Sequence, residues 1–295
     1  MKDLNKKPLI VLEMANNHMG DVNHGKSLIT ALAEVAKPFR PKFDFAIKYQ
    51  FRQLETFIHP EYKGSDLKFV KRFEETALGK SQWDELIHHG RDNNFLLIIT
   101  PFDELSVDRA LSYNVDKLKI ASCSLADWPL LESVADAKKE VIFSTAGAHL
   151  GSIDNMVSFF SNRSISTTLM HCVGLYPTPF EQLNIGQVAF YSKRYPEIRV
   201  GYSTHEDPSL TETGALAFAL GAQVFEKHVA LKTEKYDKND YSATPDQLKA
   251  WLETLERAVT STGQIDDKIK NQENEISSLR DLQRAIFVKH DVEAG

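Results

Sequence analysis

The stretch RVGYSTHEDPSLTETGALAFALGAQVFEKHV, residues 199–229, decides the fold. Two short apolar runs within it, VGYSTH and VFEKHV, each carry a histidine at or next to their end, and a helix-like segment separates them. Working outward, six more runs follow the same rule of ending in a chemically useful side chain. They are LIVLEMA near Glu13, FAIKYQ with Lys48 and Gln50, FLLIIT with Thr100, KLKIAS with Lys119 and Ser122, VIFST with Ser144, and TTLMHC with His171. Short β-branched runs flanked by turn residues read as strands. Eight strand–helix units imply an α/β fold of the (β/α)8 TIM-barrel type, in which the C-terminal ends of all the strands surround one mouth. Residues far apart in the chain then meet at one site.

Size agrees with this. The chain has 295 residues, and such a barrel takes about 250. The predicted division is a barrel over 1–263 and a linker with the start of a further domain over 264–295. The net charge is −6, from 35 basic and 41 acidic residues. This is not the basic footprint of a nucleic-acid-binding protein, though it leaves room for a small anionic substrate. The opening MKDLNKKPLIVLEMA carries an apolar stretch that is short and broken by Glu13, so neither a signal peptide nor a membrane span is expected. Cys123 and Cys172, the only cysteines, are expected as buried thiols in a reducing compartment, hence a cytoplasmic protein.

Helices are placed by spacing. Leu28, Ile29, Leu32, Val35 and Ala36 form one apolar face, and Trp83, Leu86 and Ile87 another. Thr244, Pro245 and Gln247 give an N-cap, a first-turn proline and a capping-box partner, ahead of Leu248, Trp251, Leu252, Leu255 and Val259. Three connections, 51–80, 173–182 and 230–243, exceed the barrel minimum. All follow strands and so lie on the mouth side, where loops carry specificity. In the tail, LRDLQRAIFVKHDVEAG (279–295) reads as a strand and a turn.

Two clusters of side chains carry chemistry. His205 and His228 end neighbouring strands, and two neutral imidazoles there can hold a divalent metal with positions left for water and substrate. Glu13, on the strand next to them, can add a carboxylate or bind a hydroxyl. Glu226 and His228 share a strand face, and Lys227 between them points into the helix layer, a costly place for an unpaired ammonium. Lys48, Thr100, Lys119, Ser122 and Ser144 make the second cluster, fit for a phosphate or carboxylate. Two other roles stay open for the lysines: pairing with carboxylates, or a Schiff base with a carbonyl substrate. Cys172 and His171 face opposite ways and cannot cooperate. Tyr176, in the loop after the sixth strand, can touch substrate or pack.

The segments EMANNHMGD, AIKYQ, TPFD, KIAS, FSTAG, LMHCVGLYPTP, GYSTHE and FEKHV stand in order over residues 10–229. In them the chain resembles the sialic acid synthase family, the phosphoenolpyruvate-dependent nonulosonic acid synthases. The resemblance implies a barrel followed by a small antifreeze-like domain, in a homodimer. It also implies condensation of phosphoenolpyruvate with an aldehyde sugar such as N-acetylmannosamine, with release of phosphate. By resemblance His205 and His228 hold Mn²⁺ or Mg²⁺. Lys48, Thr100, Lys119, Ser122, Ser144 and Ser203 bind phosphoenolpyruvate, and Glu13, Gln50 and Tyr176 lie near the sugar. Glu13, Lys48 and Lys119 are the catalytic candidates. The chain departs from the family pattern at Thr204, at Gly174 and over 235–242, where Asp237 or Asp240 would have to replace a sugar-binding aspartate. Two other functions compete. One is a 3-deoxy-manno-octulosonate-type synthase taking an aldose phosphate, with Arg52, Lys63, Lys68, Lys71 and Arg72 as a second anion pocket. The other is an inactive sugar-acid-binding barrel.

Overall fold

In the computed structural model, which describes residues 7–263 and 272–295, eight parallel strands close into a barrel in sequence order. They are β1 (Leu9–Glu13), β2 (Asp44–Phe51), β3 (Leu96–Pro101), β4 (Lys117–Ile120), β5 (Glu140–Ser144), β6 (Thr167–Cys172), β7 (Arg199–Thr204) and β8 (Val224–His228). β8 closes on β1, with Glu13 opposite His228. Helices follow the strands and cover the barrel. The predicted helix faces are the buried ones: Leu28, Ile29, Leu32 and Ala36 in Val22–Ala36, and Trp83, Leu86 and Ile87 in Lys80–Asp92. Helix Pro245–Thr262 starts with the expected capping box. The Thr244 N–H donates to Gln247 Oε1 at 3.0 Å, and the Gln247 N–H donates to Thr244 Oγ1 at 3.3 Å.

Inside the barrel, Leu9, Val11, Ala46, Ile98, Ile142, Met170 and Val224 form an apolar plug separate from the larger core between strands and helices. Side chains alternate along a strand, so this plug fixes which residues point inward above it. Gly201 belongs to the same layer. A Cβ there would lie 2.5 Å from the Val224 carbonyl oxygen and 3.1 Å from Met170 Cε, so only glycine lets β7 and β8 close over the plug.

The chain divides after Val259 into two compact units. In the second, helix Glu273–Arg280 is followed by turns and irregular chain to Gly295. The strand expected within 279–295 does not form. Strand backbone needs a neighbour to satisfy its N–H and C=O groups, and among the described residues this segment pairs with none. Residues 264–271, the start of the expected linker, lie outside the described residues. No helix among the described residues is long and apolar enough to cross a membrane.

Candidate active site

Alternation above the plug brings Glu13, Lys48, Gln50, Thr100, Lys119, Ser144, Ser203, Glu226 and His228 onto the inward faces of their strands, and all but Gln50 are buried. His205, one residue past β7, continues its inward parity. At the centre lie two ammonium and two carboxylate groups. Lys48 Nζ stands 2.6 Å from Glu13 Oε2 and 2.9 Å from Glu226 Oε1. Lys119 Nζ is 3.9 Å from Glu226 Oε2 and donates to Ser144 Oγ. Ser203 Oγ donates to Glu226 Oε1 at 3.3 Å. Gln50 Nε2 donates to Glu13 Oε1 at 3.0 Å, and Arg52 Nη2 donates in turn to Gln50 Oε1 at 2.8 Å. Thr100 Oγ1 is buried without a hydrogen-bond partner among the described residues. Ser122 sits at the rim, where its Oγ accepts from the Ala146 N–H at 3.0 Å.

Burial sets the protonation states. It pushes the Lys48 ammonium down to about 8, with Lys119 adding to the fall and the Glu226 carboxylate opposing it. Burial alone would raise the Glu226 carboxyl, but Lys119 and Lys48 outweigh it and hold the group well below the usual carboxylate range. Glu226 is thus the shared counter-ion of both lysines. The sequence shows it on the same strand face as His228 but not that role.

The imidazoles of His205 and His228 face each other with ring centroids 5.1 Å apart. Burial lowers both below the ordinary histidine value, and for His228 the neighbouring His205 adds to the effect. Both are therefore neutral, the form that ligates a metal. His205 Nδ1 lies 2.8 Å from the Val173 carbonyl oxygen. A carbonyl only accepts, so Nδ1 carries the hydrogen and Nε2 keeps its lone pair, the usual orientation of a ligating histidine. His228 Nδ1 is buried with no hydrogen-bond partner among the described residues. Such an orphaned nitrogen beside a second neutral imidazole fits a divalent ion. No group of three or more His, Cys, Asp or Glu side chains among the described residues is placed to hold one. An ion here would take two protein ligands and complete its shell from substrate and water.

Two tyrosines cover the imidazoles. The Tyr176 ring is 4.2 Å from that of His205 and 5.3 Å from that of Tyr241, and the Tyr241 ring is 5.1 Å from that of His228. Tyr241 carries no sequence signal, because it lies in the irregular 230–243 loop. That loop is tied down by Asn17, whose Nδ2 donates to the Val229 carbonyl at 2.8 Å and to Ser242 Oγ at 3.0 Å.

Several expectations need correction. His171 does not reach the mouth. Its Nε2 pairs with the Leu183 carbonyl at 2.8 Å, and its ring stacks on Tyr202 in the helix layer. Cys172 takes the inward position instead, 3.8 Å from His205 Nδ1, and burial pushes its thiol up to about 11, the wrong direction for a nucleophile. Cys123 is exposed, not buried, because it falls in the turn Ser122–Ser124 just past β4. Arg52, Lys63, Lys68, Lys71 and Arg72 form no second anion pocket. Arg52 lies over the Phe102 and Phe73 rings, Arg72 donates to the Asn16 carbonyl, and Lys63, Lys68 and Lys71 are exposed. Asp237 and Asp240 are exposed, with Asp237 paired to Lys232. Thr204 has the outward parity of β7, so this departure falls in the helix layer and not the mouth. A Cβ at position 174 would meet only the Ala146 Cβ, at 3.5 Å, an ordinary van der Waals contact.

A family model described as the NeuB family matches residues 42–267, and the chain belongs to that family, the sialic acid synthase family. The N,N'-diacetyllegionaminic acid synthase of Campylobacter jejuni is 30% identical over 98% of this chain and 87% of the relative. Among solved structures, the Chromobacterium violaceum protein assigned as spore coat polysaccharide biosynthesis protein E superposes with a TM-score of 0.91. It is 48% identical, over 94% of this chain and 82% of that one. The N-acetylneuraminic acid synthetase of Leptospira borgpetersenii gives 0.81 at 28% identity, over 97% of both chains. This chain is accordingly an enzyme of the NeuB synthase kind.

Proposed function

We propose that this enzyme condenses phosphoenolpyruvate with an aldehyde sugar of the N-acetylmannosamine type, giving a nonulosonic acid and inorganic phosphate. One observation carries the reading: two ammonium groups and two neutral imidazoles converge on one barrel mouth, with Glu13 opposite both Lys48 and His228 in the sheet register. Lys48 and Lys119 bind the phosphate and carboxylate charges, and the hydroxyls of Thr100, Ser122, Ser144 and Ser203 fix their direction. The four central charges cancel, so the substrate anion competes with Glu226 for the lysines. His205 and His228 would hold Mn²⁺ or Mg²⁺, which supplies Lewis-acid polarisation of the aldehyde. Gln50, Tyr176 and Tyr241 flank the sugar.

C3 of phosphoenolpyruvate forms a bond to the aldehyde carbon, and the aldehyde oxygen takes a proton to become a hydroxyl. Water adds at C2, with Glu13 positioned to take its proton. The bond between C2 and the phosphate oxygen then breaks as the C2 hydroxyl closes to a carbonyl and its proton passes to the leaving phosphate, and the 2-keto acid remains. No side chain forms a covalent bond. The double ion pairing of Lys48 disfavours a Schiff base at that lysine, which needs a free amine.

The test is phosphate release from phosphoenolpyruvate with Mn²⁺ across N-acylated hexosamines and aldose phosphates. Release with an N-acylated hexosamine, with a product of matching mass, is the expected result. Release only with an aldose phosphate would transfer the chain to the octulosonate type. No release with any acceptor would remove the proposal, and borohydride trapping of a lysine adduct would replace the mechanism.

A further inference from the structure

Behind the mouth, in the helix layer, lies a second charged cluster. Lys227 and Glu206 are both fully buried, with Lys227 Nζ 2.9 Å from Glu206 Oε1. Thr213 Oγ1 donates to the same carboxylate oxygen at 2.8 Å, and Trp251 Nε1 donates to Thr213 Oγ1 at 3.4 Å. The Trp251 ring centroid stands 5.9 Å from the ammonium. That indole sits directly on the helix Glu212–Ala219 at Gly214, where a Cβ would come within 2.4 Å of it. Glu206 Oε2 has no hydrogen-bond partner among the described residues.

This is an expensive arrangement. A buried ion pair is weak evidence for stability, because apolar side chains of the same volume are often as good or better. Its value has to lie in what it fixes. Glu206 directly follows His205, and Lys227 directly precedes His228. One ion pair therefore ties the backbone beside one imidazole to the backbone beside the other. Alternation turns this into orientation: Lys227 anchored outward holds Glu226 and His228 inward. Thr204, the register partner of Lys227 on β7, offers no charge, so the tie across this strand pair runs through Glu206.

We propose that the Lys227–Glu206 pair, braced by Thr213 and Trp251, is a positioning device that holds the His205 and His228 rings in register for a shared ligand. It rests on the reading of those imidazoles as a divalent-metal site, and its test separates the two ideas. In the full chain, Glu206→Leu with Lys227→Met replaces both charges by apolar groups of similar volume. The melting temperature is expected to stay level or rise. In the metal-free protein, long-range ¹H–¹⁵N correlations of the His205 and His228 rings are expected to broaden or double. The Kd for Mn²⁺, by calorimetry, is expected to rise roughly 10- to 100-fold, the usual cost of losing an orienting outer partner. If the double variant does not fold, Thr213→Val decides. It removes one hydroxyl without touching either strand, and the same ring signals should shift with a several-fold weaker Mn²⁺ affinity. Unchanged ring signals in the folded double variant, or in Thr213→Val if that is the folded one, would overturn the positioning role. Altered ring signals in a protein whose wild type binds no Mn²⁺ would keep the positioning role and remove the metal.

Discussion

Replacing Glu226 by glutamine keeps the shape of the side chain and removes the charge shared by Lys48 and Lys119. The amide oxygen can still accept from Lys48 Nζ and Ser203 Oγ, now 2.9 and 3.3 Å from Glu226 Oε1. Lys48 also retains Glu13 at 2.6 Å. Lys119 loses its only carboxylate among the described residues and meets an amide N–H₂ where Oε2 stood, 3.9 Å away. Breaking a buried pair costs about 3–5 kcal/mol. The surviving Glu13 contact places this case at the low end, about 3 kcal/mol, which lowers the melting temperature by about 6–12 °C in a chain of this size. The pH dependence has a definite sign. A carboxyl with a lowered folded-state pKa contributes stability above its unfolded value, and loses it as pH falls through the folded one. The gap between wild type and Glu226→Gln is therefore widest above the ordinary glutamate value of 4.5 and closes toward the lowered one. Ligand binding gives a second arm. Without its competing carboxylate the lysine pair is free for an anion, so phosphoenolpyruvate should raise the melting temperature of the variant more than that of the wild type. Scanning calorimetry with and without phosphoenolpyruvate measures both arms. A variant as stable as the wild type at neutral pH, or one with no larger ligand shift, refutes Glu226 as the counter-ion that the substrate displaces.

His228→Ala should weaken Mn²⁺ by at least about 100-fold, since a direct ligand must matter more than an outer partner. Its Nδ1 has no hydrogen bond to lose, so the melting temperature should stay within a few degrees; calorimetry and a melt check both. Lys119→Ala should raise the KM for phosphoenolpyruvate far more than that for the sugar in initial-rate kinetics, and equal losses would undo the division of the mouth. Tyr241→Ala should do the reverse, raising the sugar KM about 5-fold, as expected for an aromatic contact worth about 1 kcal/mol. Gly201→Ala forces a Cβ to 2.5 Å from the Val224 carbonyl and should cost about 2–3 kcal/mol in denaturant unfolding; an unchanged midpoint would mean that β7 and β8 can separate freely.

The barrel was legible because eight apolar runs recur with helical spacing between them, and because each ends in a polar group that a buried strand would not otherwise carry. The same pattern brought Glu13, Lys48, Lys119, Ser144, Ser203, His205 and His228 together. It failed where a strand is apolar on both faces. TTLMHC is buried throughout, as strands of parallel sheets are, so alternation separates His171 from Cys172 without saying which one faces the mouth. Only the register, with Cys172 opposite Ser203, settles that. Cys123 failed for a different reason: β4 ends at Ile120 and the chain turns before reaching it. Tyr241 has no periodicity to read, because a loop residue is placed by tertiary ties such as Asn17 to Ser242.

The two faces of β8 carry the deeper point. Glu226, Lys227 and His228 are consecutive, buried and ionisable, yet they face two different layers. Glu226 and His228 belong to the mouth, where charge must stay exchangeable if an anion is to displace a counter-ion. Lys227 belongs to the helix layer, where its partner Glu206 is sealed from solvent and 2.9 Å away. A strand end can hold reactive groups at constant geometry only if something behind it resists rotation, and a sealed ion pair adds a directional contact to the close apolar packing there. That direction is why polar side chains at this strand end occupy the outward face as well as the inward one.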